Sequence, residues 1–373
     1  MIFGRPLLER LLLMCQRAGA QRFFIAAAVA RRDDLRASLG PFGDSPSVSF
    51  VDSLAEVLDH LPANARCVAL RGNLVLATPQ LRGVIASQVA GSGELVALES
   101  TDAAHSGSVA AGPLNLLLDG AVTGAVRLAP SGQLPFALNQ RSEDVREAEL
   151  RLARELRRES AHKDGPMARW FDRRLSWRIS HRLARTAITP NQVTVANTAL
   201  GLVSAWLFAC PGYWLRLVGA LLSLVSTTLD GVDGELARLK MAESRLGARL
   251  DMLTDNLVVI ALFAGIVIGC YRASASGAYR YLLPILLGGF ALCVTAGQRA
   301  RRTKGEQAQW IAKLDQVTGR DFVYLLFVLA LAGRLYYFVW GAAFGTYVYA
   351  IALWRLTTRR RMSLNANAVP VAP

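Results

Sequence analysis

Four aspartates stand in two pairs in the stretch LDGVDGELARLKMAESRLGARLDMLTDN at 229–256: Asp230 and Asp233 three apart, Asp251 and Asp255 four apart. On a helix, spacings of three and four set side chains on one face. Two helices joined by a short loop are antiparallel neighbours, so all four carboxylates can converge. Held unpaired at a membrane boundary, they would be costly. Hard divalent cations resolve that cost, and Mg²⁺ is commonly held by carboxylates together with substrate phosphate. Two ions bridged by carboxylates suit in-line displacement at phosphorus. Gly234 and Gly247, lacking side chains, would let a nucleotide or diphosphate come close to the backbone. A solvated acidic loop would not need small and basic residues (Gly234, Ala237, Arg238, Gly247) at fixed offsets.

The elements that must position these carboxylates are membrane helices. Val193–Cys210 carries no charge across 18 residues, close to the ~20 needed to span. Trp214–Leu229 is apolar apart from Arg216 and runs directly into the acidic motif. Leu253–Cys270 is apolar apart from Asp255, and Tyr281–Gly297 is apolar throughout. Phe322–Trp354 holds Arg334 as its one charge and is long enough for a tight hairpin of two helices around Gly333–Tyr336. Six spans are thus expected. One set of loops holds Arg238, Lys240, Arg245 and Arg249, then Arg299, Arg301, Arg302, Lys304, Lys313 and Arg320, then Arg355 and Arg359–Arg361; the other holds Arg216, Arg272, Arg280 and Arg334. The basic set belongs in the cytoplasm, with both termini on that side.

Composition agrees. Hydrophobic residues make up 53% of 373 against 19% charged, the mean hydropathy is +0.30, and the apolar surplus lies from Val193 onward. The net charge of +14 could serve nucleic acid or an anionic membrane surface. The cationic residues adjoin apolar segments rather than forming a basic stripe with interleaved aromatics, which favours membrane lipid and excludes nucleic acid as partner. The five cysteines (Cys15, Cys67, Cys210, Cys270, Cys293) have neither CxxC nor metal-ligand spacing and read as small hydrophobes in a reducing compartment. The apolar run after Leu7 is broken by Glu9 and Arg10, so no cleavable signal peptide is expected.

Ahead of the spans lie two further regions. Residues 1–141 alternate strand and helix signals: helix at Leu7–Ala18, strand at Arg22–Val29, helix at Ser53–Leu61, strand at Cys67–Leu70, helix at Pro79–Gln88, strand at Glu94–Glu99. That order predicts an α/β domain with a mainly parallel sheet. Residues 142–187 are a charged linker. Its first part, from Glu143 to Glu159, mixes both charges at helical spacing and reads as a solvated helix. In its second part Trp170, Phe171, Leu175, Trp177, Ile179 and Leu183 interleave with arginines, predicting an amphipathic helix in the headgroup plane.

Residues 230–255 resemble the CDP-alcohol phosphotransferase signature, DxxDGxxAR, eight residues, then GxxxDxxxD. Asp230, Asp233, Gly234, Ala237, Arg238, Gly247, Asp251 and Asp255 match every fixed position. The resemblance implies a six-helix transmembrane domain over 188–358 with a cytoplasmic tail at 359–373. It implies two Mg²⁺ (or Mn²⁺) ions held by Asp230, Asp233, Asp251 and Asp255, with Asp255 also the base on the acceptor hydroxyl. Gly234, Ala237, Arg238 and Gly247 would accommodate the CDP group, and a homodimer is implied. ITPNQVT at 188–194 is similar to the entry of the family's first membrane helix, and QRARR at 298–302 to the basic end of its fourth. There Arg299 and Arg301 would take an acceptor's phosphate, or else only set topology.

Residues 4–26, 69–81 and 141–149 resemble segments of sugar-phosphate nucleotidyltransferases, which implies a Rossmann-like nucleotidyltransferase fold for 1–141. The fusion resembles the bifunctional inositol-phosphate cytidylyltransferase/di-inositol-phosphate-phosphate synthase architecture. The family's Gly-rich phosphate loop and Lys are missing, as a misassigned start codon would explain. Asn73 stands where the family has a metal-binding Asp, and near Gln140 a second acidic ligand is missing. A catalytically dead domain, structural or regulatory, is therefore expected.

The expected reaction is attack by an alcohol acceptor on a CDP-alcohol donor with release of CMP, in phospholipid synthesis at the cell inner membrane. The donor would be CDP-diacylglycerol. A soluble CDP-inositol-type donor with inositol phosphate as acceptor is the alternative, and a non-catalytic membrane scaffold is the alternative of another class.

Overall fold

A computed structural model describes residues 1–90, 95–99, 108–118, 126–128, 134–139, 141–161, 172–300 and 322–366. The chain forms two compact units. The first is Met1–Ser160 with Ala184–Thr186 and Arg238–Met241; the second is Ala161–Leu183, Ala187–Ala237 and Ala242–Pro373.

The first unit is strand-containing. Helix α1 (Leu7–Arg17) turns Leu11, Leu12 and Met14 inward. Strand β1 (Phe23–Ala26), helix α2 (Arg32–Ser38) and strand β2 (Val48–Val51) follow, with β1 and β2 parallel. Next come β3 (Arg66–Leu70), β4 (Leu74–Val75), α3 (Thr78–Ala90), β5 (Val96–Glu99), β6 (Ser108–Pro113), α4 (Leu114–Leu118), β7 (Val126–Leu128), β8 (Phe136–Ala137) and α5 (Ser142–Ala161). A four-stranded sheet has the order β3-β6-β5-β7, and β4 pairs with β8.

The expected mainly parallel sheet is corrected here. Among the described strands β6 runs antiparallel to both β3 and β5, β4–β8 is antiparallel, and β1–β2 and β5–β7 are parallel. The sequence reading lacked β6, whose Ser-Val-Ala-Ala-Gly-Pro carries little apolar period, yet it is the strand that reverses the sheet. The helix expected at Ser53–Leu61 is a tight 3₁₀ segment at Leu54–Asp59. Residue 94, the expected start of a strand, lies outside the described residues; β5 begins at Val96. Leu74, Leu76, Leu81, Val84, Val96, Leu98 and Val109 close one core with Leu11 and Met14. Helix α5 is more than a solvated helix. It buries Ala148, Leu152 and Ala153, while Arg151 pairs with Glu147 at 2.5 Å and lies 4.3 Å over the Phe136 ring.

The second unit is helical: α6 (Arg173–Leu183), α7 (Pro190–Ala209), α8 (Tyr213–Leu239), α9 (Arg245–Ser274), α10 (Ala278–Ala300), α11 (Phe322–Leu331) and α12 (Leu335–Ala366). Five of the described helices, α7–α10 and the Leu335–Thr357 part of α12, are long and apolar enough to cross a membrane; α11 is a shorter apolar helix. The protein is an integral-membrane protein. The hairpin expected around Gly333 is present, as α11 and α12 meet at residues 332–334 with Gly333 at φ +66°. Helix α7 starts on a capping box, in which the Thr189 side chain accepts from the Gln192 amide and Gln192 accepts from the Thr189 amide.

Without a hydrophobic drive between helices in lipid, close packing of small residues holds the bundle. A Cβ on Gly265 or Gly269 of α9 would run into the carbonyl oxygens of Ala205 and Phe208 on α7. Phe208, Leu262, Phe263, Ile266, Leu282, Leu326 and Phe338 fill the core beside that seam.

The second part of the linker forms the helix α6. In α6, Ser176, Trp177 and Ser180 are buried, while Arg174, Leu175, Arg178 and Arg182 are exposed. One face, Trp177 included, is thus turned into the protein. Trp170 and Phe171 lie outside the described residues.

Candidate active site

The last turns of α8 carry Asp230 and Asp233, and the first turns of α9 carry Asp251 and Asp255. The five-residue link 240–244 is short enough to keep the two helix ends together. It ends on Ser244, whose hydroxyl accepts from the Gly247 amide at 2.9 Å and fixes where α9 begins.

Across that turn Asp230, Asp251 and Asp255 each offer a carboxylate oxygen, and the three oxygens lie within 4.8 Å of one another, all half-buried. Like charges that close repel by about 3 kcal/mol per pair at an effective dielectric of about 20. An arrangement of oxygen donors of this kind fits a hard divalent cation.

Asp233 is buried beside them, within electrostatic reach of Asp251 and Asp255. Its Oδ2 accepts from the Thr194 hydroxyl of α7 at 2.5 Å and its Oδ1 from the Gly234 amide at 2.6 Å. A spacing of three leaves Asp233 about 60° round the helix from Asp230, which here points it at α7.

The remaining expected residues separate by environment. Gly234 is exposed, and a Cβ there would meet nothing within 4 Å, so its face of α8 stands open to an incoming group. At Gly247 a Cβ would come 3.1 Å from both Asn191 Oδ1 and Ser244 Oγ, so the protein's own atoms already crowd that position. Ala237 and Arg238 are half-buried in the last turn of α8. Arg299, in the last turn of α10, lies 4.8 Å over the ring of Trp354. Arg301 lies outside the described residues.

Residues that spacing did not single out hold together the helices that carry the cluster. Thr194 sits in the ITPNQVT stretch but carried no assigned role. Ser226 donates to Asn197 Oδ1 at 2.9 Å, a second rung between α7 and α8 below the Thr194–Asp233 pair. Glu235, inside the motif, is fully buried and accepts from Ser176 and Ser180. Asp172 accepts from Thr228 and Tyr324. No local pattern marks these partners, because each pair is separated by 29 residues or more.

A helical membrane unit with carboxylates gathered where two spans turn defines a membrane-boundary class of protein whose site suits cations and phosphates. Residues 187–363 match the family model described as CDP-alcohol phosphatidyltransferase, and this region is a CDP-alcohol phosphatidyltransferase domain. A protein from Thermococcus kodakarensis named bifunctional IPC transferase and DIPP synthase is 42% identical over 95 residues, covering 26% of this chain and 21% of the relative. A protein of the same name from Rubrobacter xylanophilus is 35% identical over 180 residues, 46% of this chain and 37% of the relative. A phosphatidylinositol phosphate synthase of Mycobacteroides abscessus is 32% identical over 91 residues, 24% of this chain and 40% of the relative. The chain therefore spans less than half the length of these curated relatives. The crystal structure of the Mycobacterium tuberculosis phosphatidylinositol phosphate synthase with CDP-DAG bound overlaps 54% of this chain and 98% of its own, at 20% identity and a TM-score of 0.35.

Proposed function

We propose that this chain transfers a phosphatidyl group from CDP-diacylglycerol to the hydroxyl of an alcohol acceptor, releasing CMP. The observation that carries the reading is the meeting of Asp230, Asp251 and Asp255 at the turn between two membrane helices, inside a CDP-alcohol phosphatidyltransferase domain. A lipid donor suits a site placed where spans end.

Asp230, Asp233, Asp251 and Asp255 are the residues to hold divalent metal, Mg²⁺ or Mn²⁺, with two ions the expected number. When bound, such ions neutralise charge on the diphosphate. Asp255 takes the proton of the acceptor hydroxyl as that oxygen attacks the phosphate nearest the diacylglycerol, and the bond to CMP breaks. The open face at Gly234, with Ala237 and Arg238 one turn on, receives the cytidine nucleotide; Gly247 contributes by letting α9 start close to Asn191.

Inositol phosphate is the acceptor we favour, because it appears in the names of the Mycobacteroides abscessus relative and of an archaetidylinositol phosphate synthase 32% identical over 92 residues. Arg299 and Arg301 would face its phosphate. A soluble CDP-inositol-type donor is the second reading, supported by the bifunctional relatives' names. The first unit would be a nucleotidyltransferase-like domain without activity. Asn73 donates through Nδ2 to the Leu138 carbonyl at 3.0 Å, a bond an ionised Asp could not make. The membrane unit would have six spans with α11 in the fifth and α12 the sixth, both termini cytoplasmic, in the inner membrane, and would pair as a homodimer.

The test is CMP release by the full chain in membranes, supplied with CDP-diacylglycerol or CDP-inositol, inositol phosphate and Mg²⁺. Release that needs CDP-diacylglycerol and is lost in Asp251→Asn supports the reading. Equal rates in both proteins would remove it.

A further inference from the structure

We infer that Asp172 and Glu235 are positioning residues that clamp α6 against the back of α8 and so fix the direction in which Asp230 points. The inference rests on the proposed function, since it assigns these residues a part in that reaction.

The clamp is built from two buried carboxylates. Glu235 is fully buried, and its two oxygens accept from Ser176 at 2.8 Å and Ser180 at 2.7 Å. Asp172, just ahead of α6 and nearly as buried, accepts through Oδ1 from Thr228 at 3.0 Å and from Tyr324 of α11 at 2.7 Å. Ser180 also reaches the Val232 carbonyl at 3.5 Å. Ser176 and Ser180 share one face of α6, with Asp172 four residues before Ser176, and Thr228, Val232 and Glu235 fall within one stripe of α8.

The opposite side of α8 carries the chemistry. At about 100° per residue, Asp230 lies about 200° from Thr228 and Asp233 about 140°. The stripe gripped by α6 is thus the one facing away from the carboxylates. A buried carboxylate holding two hydroxyl donors resists displacement, because losing a donor leaves it unsatisfied. A roll of α8 by about 10° would carry a group 5 Å from its axis by about 0.9 Å. A misplacement of about 1 Å at a reacting centre can cost about 100-fold in rate. Helix α6 acts here as a brace on the catalytic helix rather than as a simple surface anchor.

The test uses the full chain in lipid nanodiscs, with two readouts: CMP release from CDP-diacylglycerol, and Mn²⁺ affinity by electron paramagnetic resonance. Tyr324→Phe and Ser180→Ala each remove one hydroxyl and leave the helices in place. Combined, they are expected to lower kcat by about tenfold or more and weaken Mn²⁺ several-fold, with the KM for donor changed by less than about twofold. Asp172→Asn keeps the accepting oxygen and should stay near wild type, whereas Asp172→Ala should behave as the double variant does. Folded double variant with wild-type kcat and Mn²⁺ affinity would overturn the inference, whatever Asp172→Ala does. Wild-type protein that neither releases CMP nor binds Mn²⁺ would overturn the underlying function instead.

Discussion

The Thr194 hydroxyl donates to Asp233 Oδ2 at 2.5 Å, tying the first turns of α7 to the carboxylate-bearing end of α8. Both residues are buried. A carboxylate in that position depends on its donors, the other being the Gly234 amide. Thr194→Val keeps the shape and removes the hydroxyl, which should cost about 1–3 kcal/mol of stability. A fall in apparent unfolding temperature in detergent, with Thr194→Ser near wild type, is the expected result. Unchanged unfolding in Thr194→Val would show that the bond contributes nothing.

The two glycines of the motif should respond differently to a methyl group. At Gly234 a Cβ meets open space, and Gly to Ala inside a helix stabilises by about 1 kcal/mol. Gly234→Ala should therefore unfold no earlier than wild type, while its KM for the CDP donor rises because the methyl fills the nucleotide's place. At Gly247 the Cβ would press on Asn191 and Ser244. Gly247→Ala should lower the unfolding temperature as the start of α9 shifts. Kinetic and thermal measurements on the pair separate these effects, and a Gly234→Ala enzyme with wild-type KM would refute the nucleotide placement.

Much of this was legible in sequence. The spans follow from length and apolarity, which lipid imposes on each helix alone. The meeting of Asp230, Asp251 and Asp255 follows from helical spacing plus a short link. The Thr194 partner of Asp233 was hidden, because it lies 39 residues away and only packing brings it near. The inward face of α6 was hidden for the same reason: its serines look polar until Glu235 is placed beside them. In the first unit the parallel sheet failed on β6, a strand of small residues defined by its backbone partners rather than by any period of its own.

Arg216 and Arg272, two of the arginines outside the basic set of loops, have structural work. Arg216 donates to the Cys210 and Gly269 carbonyls at 3.3 and 2.7 Å, and Arg272 donates to Ala209 at 2.9 Å. The Ala209 and Cys210 carbonyls stand at the C-terminus of α7, where cations also complement the helix dipole, while Gly269 belongs to α9, so Arg216 ties the two helices. Arg216→Leu should lose about 1–3 kcal/mol through the orphaned carbonyls. Because this end of the helices is remote in sequence from the motif, the fraction that stays folded should keep its KM for donor. Thermal unfolding alongside kinetics checks both halves; a raised KM with unchanged stability would contradict the capping role.

In the first unit, burial pushes the Cys15 thiol up to about 11, because desolvation penalises the thiolate. The thiolate is the reactive form, and burial moves this thiol from 9.0 to about 11. At pH 8 that lowers the thiolate fraction about 100-fold relative to an unfolded chain. Alkylation of Cys15 at pH 8 should be slower in native than in denaturant-unfolded protein by about that factor. Raising the pH from 8 to 9 should speed the native reaction about tenfold, since the titration lies well above that range. Mass-spectrometric mapping of iodoacetamide labelling over time measures both. Native labelling of Cys15 as fast as in the unfolded chain would mean that α1 does not shield it.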